Sequence, residues 1–409
     1  MWLLQLATIV AASRLCGYLA QRIGQARVVG EITAGIILGP SVFGTLTPEF
    51  YETLFASHAK GNTSLLGEVG LVLLMFEVGL HLRMSAGWRT AVRLPGVVGL
   101  TGLILPLALG TTVALVTRPI LAPGYAPLPY ALFCGVALGV SAVPVMARIV
   151  DDLGLQHYPA AGTALTAAML TDIAGWLLLM VVAIIARPHV GGALDLATSL
   201  LAIGAYVVIC VVAVQRIVEP MLRGAAERSD EQTEFTILTC TIMLSSWATS
   251  ELGFHSAFGA LLPGMLLRDF PAIRERWSTT FGGFIRIVLM PVFFSFAGLH
   301  TSISSIGTDL WIWFGMFVAV GFAGKFGGAY LAARICSVPA SDAFLIGSLM
   351  NARGLMELIV LSVGLQLGVL PTRVYSILVL FALATTAITT PLVRYWMRPS
   401  NQPLANSKI

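Results

Sequence analysis

Asp172 is the residue best placed to do chemistry, because it is the one charged residue in a long apolar run, Ala164-Leu-Thr-Ala-Ala-Met-Leu-Thr-Asp-Ile-Ala-Gly-Trp-Leu-Leu-Leu-Met180. A charged side chain in the middle of a membrane-spanning helix costs about 2.5 to 3.5 kcal/mol on insertion scales, and such residues line pathways or bind ions. Two readings stand: an ion- or proton-carrying carboxylate, or a buried aspartate held by a basic partner on a neighbouring helix. Lys325, inside Gly321-Phe-Ala-Gly-Lys-Phe-Gly-Gly328, is the one lysine deep in an apolar run, and it needs a carboxylate nearby or a neutral form. Ser141 and Pro144 interrupt a further run. The proline removes a backbone donor and frees a carbonyl near Val140, and oxygens are what an alkali cation needs in place of its hydration shell. Thr171 adds a hydroxyl beside Asp172. Asn351, Arg353 and Glu357 interrupt a later run, with Arg353 and Glu357 spaced i, i+4 so that they can pair on one helix face.

The elements carrying these residues must be membrane helices. The 409-residue chain is 57% apolar and 11% charged, against about 25% charged for a soluble domain, and its mean hydropathy is +0.88. Runs long enough to cross about 30 Å of hydrocarbon fall near 2–20, 28–46, 65–82, 94–117, 128–150, 159–187, 194–217, 235–252, 254–268, 280–300, 308–334, 343–367 and 371–397, which predicts thirteen spans. A net charge of +4 is explained by topology and calls for no nucleic acid. Arg22, Arg27, Arg83, Arg89, Arg93, Arg148, Arg216, Arg223, Arg228, Arg268, Arg274, Arg276, Arg334, Arg394, Arg398 and Lys408 fall on one side, against Lys60, Arg118, Arg187 and Arg373 on the other. The positive-inside rule then puts the N-terminus outside, the C-terminus in the cytoplasm and the chain in the cell membrane. The first run lacks a basic leader and reads as a retained span. Cys16, Cys134, Cys210, Cys240 and Cys336 show no ligand spacing and read as packing residues.

The longest polar stretch, 215–234, divides the chain into a first repeat over 1–187, a linker helix over 194–217 and a second repeat over 235–397. All lie in one transmembrane domain, 1–400, followed by a short tail, 401–409. Ala34-Gly-Ile-Ile-Leu-Gly-Pro40 corresponds to Ala257-Phe-Gly-Ala-Leu-Leu-Pro-Gly264, and Val140-Ser-Ala-Val-Pro144 corresponds to Met350-Asn-Ala-Arg-Gly354. Paired interruptions of this kind point to an inverted-repeat transporter with its site between the repeats. Glu31 and Glu77 read as helix-end or vestibule groups, Glu251 and His255 as flanking an outer turn, and Asp151 and Asp152 as a solvated cluster. Trp88, Trp176, Trp247, Trp311 and Trp313 read as interfacial or packing residues.

Several stretches together resemble the monovalent cation:proton antiporter-2 family, with its NapA-like, Kef-like and plant CHX members. They are Arg27-Val-Val-Gly-Glu-Ile-Thr-Ala-Gly-Ile-Ile-Leu-Gly-Pro-Ser-Val-Phe-Gly44, Leu74-Met-Phe-Glu-Val-Gly-Leu80, the run from Ser141 to Gly154, Gly253-Phe-His-Ser-Ala-Phe-Gly-Ala260, Phe293-Phe-Ser-Phe-Ala-Gly-Leu299, and Met350-Asn-Ala-Arg-Gly-Leu-Met-Glu-Leu-Ile-Val360. The resemblance implies an all-α fold of thirteen helices with two crossing discontinuous helices, a mobile core domain and a dimerisation domain, hence a homodimer. It also implies that the aspartate at Asp172 carries the cation or the proton, with Lys325 beside it. Thr171 stands where NapA-like members have a second aspartate, Kef-like members a glutamine and CHX-like members an asparagine. No nucleotide-gated tail and no cofactor are expected.

The expected activity is secondary antiport of H+ against Na+ or K+, a role in pH homeostasis, by alternating access at Asp172. Ser141, Thr171 and the Val140 carbonyl would complete the cation shell, and one carboxylate serving one ion at a time predicts electroneutral exchange. A gated cation channel using the same residues is the alternative. An intramembrane aspartyl protease needs a second deep aspartate, which no other span supplies.

Overall fold

Glycine lets these helices come close. In the computed structural model, which describes residues 2–55, 57–81, 93–186, 193–228, 230–252, 256–299, 301 and 308–397, the described secondary structure is helical. The helices that matter for the site are α1 (Trp2–Arg22), α2 (Arg27–Leu38), α3 (Ser57–His81), α4 (Arg93–Leu121), α5 (Pro127–Gly139), α6 (Val143–Asp152) and α7 (Pro159–Ile185). They continue as α8 (Ala193–Ala213), α9 (Glu231–Glu251), α10 (Ser256–Leu267), α11 (Pro271–Thr280), α12 (Met290–Leu299), α13 (Thr308–Ile335), α14 (Ala340–Met350), α15 (Leu355–Gln366) and α16 (Thr372–Trp396).

Seven of the described helices are long and apolar enough to span a bilayer alone, or eight if Pro271–Thr280 and Gly282–Ser295, bent by 51°, form one span. Other expected spans are built from shorter pieces, among them the α5/α6 and α14/α15 pairs. The polar stretch 215–234, read as a linker, is mostly helical: α8 runs through a π-turn at Val214–Val218 into a helix over Glu219–Glu227. Arg83, Arg89, Arg187, Arg398, Lys408, Trp88 and His255 lie outside the described residues, as do the side chains of Lys60, Pro144, Arg148, Asp151 and Asp152. The five cysteines are free thiols, Cys134 and Cys210 buried and Cys240 exposed.

The chain divides into two compact units, each assembled from both halves of the sequence: Met1–Val10, Leu54–Met84 and Arg187–Phe296 in one, Ala11–Thr53, Ser85–Ala186 and Ala297–Ile409 in the other. In the first unit, α3 and α10 pack backbone to backbone. A Cβ on Gly79 would sit 2.6 Å from the Leu261 carbonyl oxygen, and one on Gly264 would sit 2.5 Å from that of Phe76. Arg286 donates to Glu77 Oε1 at 2.8 Å there, so Glu77 is an ion-paired structural group. In the second unit, α2 meets the end of α12 in the same way: a Cβ on Gly298 would lie 2.6 Å from the Ile32 carbonyl oxygen. The two contacts use equivalent stretches, Ala34–Pro40 and Ala257–Gly264 on one side, Gly79-Leu80-His81 and Gly298-Leu299-His300 on the other. Small residues are what close helix approach in a membrane requires, since apolar side chains gain nothing by leaving lipid.

The second unit also holds the two interrupted helices. α4, which carries Pro106 and Pro119, packs on α5, α7 and α13. α5 stops at Gly139, where Val140 turns extended (φ −74°, ψ 153°), and α6 resumes at Val143. α14 stops at Met350 and α15 resumes after Gly354.

Candidate functional site

The two breaks meet directly. The Ala142 N–H donates to the Ala352 carbonyl at 3.1 Å, and Ser141 Oγ donates to the Met350 carbonyl at 3.4 Å. Non-helical backbone at membrane depth is tolerated only where its polar groups find partners or line a cavity, and several groups of these breaks have named partners.

The carbonyls exposed by the end of α5 are met by two buried cations. Arg353 Nη1 donates to Ala137 at 2.9 Å and reaches Val140 at 3.5 Å, and Nη2 donates to Leu138 at 2.8 Å. Lys325 donates to Gly139. Four successive carbonyls, Ala137 to Val140, thus each face a cationic donor at the negative end of a helix. Both side chains are buried, and the Arg353 guanidinium also lies 4.4 Å over the Phe381 ring.

The second break is held by neutral groups. Asn351 Nδ2 donates to Gly347 at 3.1 Å, and Thr386 Oγ1 both accepts from the Arg353 N–H and donates to the Arg353 carbonyl, each at 3.0 Å.

Each resumed half-helix then presents its N-terminal end to a carboxylate. Asp172 Oδ2, from α7, accepts from the Val143 N–H at 3.4 Å, at the first residue of α6. Its other oxygen, Oδ1, is shielded from solvent and has no hydrogen-bond partner among the described residues. Glu357, in the first turn of α15, is buried with both carboxyl oxygens outside hydrogen-bonding range. α7 can approach this crossing because residue 175 is glycine: a Cβ there would be 2.7 Å from Val140 Cγ1.

The structure thus brings Asp172, Ser141, Val140, Lys325, Asn351, Arg353 and Glu357 to one crossing, but it changes several roles. Arg353 and Glu357 do not form a self-sufficient pair on one helix face. Arg353 precedes α15, its nitrogen stays 3.7 Å from Glu357 Oε2, and its hydrogen bonds go to three carbonyls at the end of α5, which the start of α15 places within reach. Pro144 lies just past the interruption, at the start of the second half-helix. It is the second residue of α6, where a missing N–H costs nothing. The Val140 carbonyl, expected to be free, faces Arg353. Thr171 spends its hydroxyl on the Ala168 carbonyl at 2.8 Å, and its Cγ2 lies 3.5 Å from where a Cβ on Gly99 of α4 would be. Lys325, expected beside Asp172, gives its hydrogen bond to the Gly139 carbonyl.

Three positions were not singled out in the sequence: Gly175, Phe381 and Thr386. The signal for Thr386 was available, since Ala384-Thr-Thr-Ala-Ile-Thr-Thr390 places hydroxyls in an otherwise apolar run.

A family model described as sodium/hydrogen exchanger, transmembrane, matches residues 10–397. The chain belongs to the sodium/hydrogen exchanger family. Among curated relatives of this exchanger, the Na(+)/H(+) antiporter NhaS4 of Synechocystis is 33% identical over 396 residues, covering 96% of each chain. Cation/H(+) antiporter 20 of Arabidopsis thaliana is 34% identical over 416 residues, with 97% of this chain matching 48% of that protein. The K(+)/H(+) antiporter 1 of Saccharomyces cerevisiae is 28% identical, with 90% of this chain matching 43% of it. The exchanger therefore spans nearly all of the cyanobacterial relative and about half of the plant and yeast ones. Its fold is that of the solved sodium proton antiporter MjNhaP1 from Methanocaldococcus jannaschii, at a TM-score of 0.64 over 97% of both chains and 13% identity.

Proposed function

We propose that this exchanger carries a proton one way and Na+ or K+ the other across the cell membrane, both on Asp172. The observation that carries the proposal is the half-used carboxylate: Oδ2 is held by the first N–H of α6, and Oδ1 is buried with no partner among the described residues. A carboxylate oxygen removed from water and left unpaired is costly unless it takes a proton or a cation, so the site favours being loaded with one or the other. The relatives named as Na+/H+ and K+/H+ antiporters support both cation classes and do not favour the gated channel.

Each group has a distinct task. Asp172 binds the cargo, with the Ser141 hydroxyl of the first break as a further oxygen for it. Lys325 and Arg353 hold the end of α5, and their charge opposes a doubly negative crossing when Asp172 and Glu357 are both ionised. With two cations and two carboxylates, exchanging a proton for one monovalent cation on Asp172 leaves the charge of the crossing unchanged. This supports electroneutral exchange. Alternating access would come from motion of the unit that holds the crossing, and assembly as a homodimer, an external N-terminus and a cytoplasmic C-terminus belong to the same proposal. No cofactor enters the scheme; the ions are cargo.

The test is fluorescence of a pH probe in proteoliposomes holding a pH gradient, with NaCl, KCl or choline chloride added. Wild type should dissipate the gradient with one or both alkali cations and not with choline, and Asp172→Asn should be silent. Equal responses of wild type and mutant would overturn the assignment.

A further inference from the structure

Away from the crossing, a pocket of about 190 Å³ opens where the ends of four helices of the second unit converge. Gln21 comes from the end of α1, Gln25 from the turn before α2, Ile149 and Leu153 from the end of α6, and Thr390 and Arg394 from the last turns of α16.

Its polar groups are incompletely used. Thr390 is 5% exposed, and its Oγ1 is shielded with no hydrogen-bond partner among the described residues. Arg394, one turn beyond Thr390, makes no ion pair with any described residue. Its guanidinium packs over Gly24, whose φ of +78° and missing Cβ leave room for it. The pocket wall also contains Ala26, the N-cap of the twelve-residue α2, which has no side-chain cap, so the wall includes an uncapped helix N-terminus.

A guanidinium, two amides, a buried hydroxyl and an uncapped helix N-terminus form a donor-rich set with no described carboxylate among the lining groups. That combination matches a tetrahedral oxyanion. We propose that this pocket binds a phosphate group, carried by an anionic lipid headgroup or by a free phosphate. Arg22, Arg27 and Arg334 lie on the same basic face by the charge distribution of the sequence, and such a face attracts anionic lipid. The bound phosphate ties the end of α6 to the end of α16. Since the first N–H of α6 meets Asp172, the ligand braces the half-helix that holds the cargo carboxylate.

The test is thermal stability of the purified full chain in phosphatidylcholine nanodiscs, titrated with inorganic phosphate in one arm and with phosphatidylglycerol built into the discs in the other. Native mass spectrometry counts the lipid retained. Wild type should be stabilised in at least one arm: by phosphatidylglycerol alone if the source is lipid, by inorganic phosphate as well if a free phosphate suffices. Arg394→Gln should weaken the apparent affinity about tenfold or more, the loss expected for a charge-assisted hydrogen bond. Thr390→Val, and Gln25→Leu as a third variant in case either α16 change fails to fold, should weaken it in the same arm. Absence of stabilisation in both arms, or equal stabilisation of wild type and all folded variants, would overturn the site.

Discussion

At the residue scale the question is what Asp172 does with its second oxygen. If proton and cation compete for it, the apparent KM for the cation should rise about tenfold for each pH unit below the point where the proton dominates. Initial rates measured over a pH series at several cation concentrations check this. A rise in KM with unchanged maximal rate is expected, whereas a fall in maximal rate alone would point to a proton acting elsewhere. Gly175 is the neighbour on which the geometry depends. Gly175→Ala would push a methyl to 2.7 Å from Val140 Cγ1 and 3.4 Å from Met356 Cε, so it should cost about 1 to 3 kcal/mol as overpacking and slow exchange. A melting curve beside a transport assay reads both. The i, i+4 spacing of Arg353 and Glu357 was visible in the sequence and the two lie 3.7 Å apart as an ion pair, but Arg353 precedes the start of α15, which leaves its guanidinium free to bond to α5 as well.

The relevant elements are the two half-helix pairs. Breaking a helix inside a bilayer exposes several carbonyls, and the two breaks meet that cost with different chemistry. Charged donors cover Ala137 to Val140, and hydroxyl and amide donors cover Gly347 and the Arg353 backbone. Arg353→Met should therefore be severe, about 3 to 5 kcal/mol, since it leaves buried carbonyls and Glu357 without their cation. Thr386→Val, which loses one donated and one accepted bond, should cost about 1 to 3 kcal/mol. Thermal unfolding of both variants in the same lipid checks the order, and a Thr386→Val loss exceeding that of Arg353→Met would contradict it. Lys325→Gln keeps a donor for the Gly139 carbonyl but removes the charge beside Asp172. It should fold, with its effect concentrated in the pH dependence of exchange.

For the whole molecule, the charge balance of the crossing predicts that Na+/H+ exchange in proteoliposomes proceeds at the same rate whether the membrane potential is clamped at zero or at a negative value. A rate that changes with the potential would mean that charge moves in each cycle and that Lys325 or Glu357 changes protonation with Asp172. The resemblance implied two domains, but which segments make up each unit, both halves of the chain contributing to each, was not legible from the sequence. The linear order suggested repeat, linker, repeat. The glycine contacts Gly79 with Gly264 and Gly298 with Ile32 cut across that order, because helix partners are chosen by surface fit and not by chain position.

The sequence by itself determined that this is a polytopic helical membrane protein, that its apolar runs are interrupted at Val140–Pro144 and Met350–Gly354, and that Asp172 and Lys325 stand among groups with no business in hydrocarbon unless they serve one site. Such statements follow from the cost of transferring charge and bare peptide groups out of water, which a linear pattern reveals. Only the tertiary structure decided that Arg353 and Lys325 cap α5, that Thr171 bonds within its own helix, and that Asp172 meets the start of α6 with one oxygen and nothing with the other. Those outcomes depend on which donor reaches which carbonyl first across a helix crossing, and that geometry is set by the packing of segments more than a hundred residues apart in the chain.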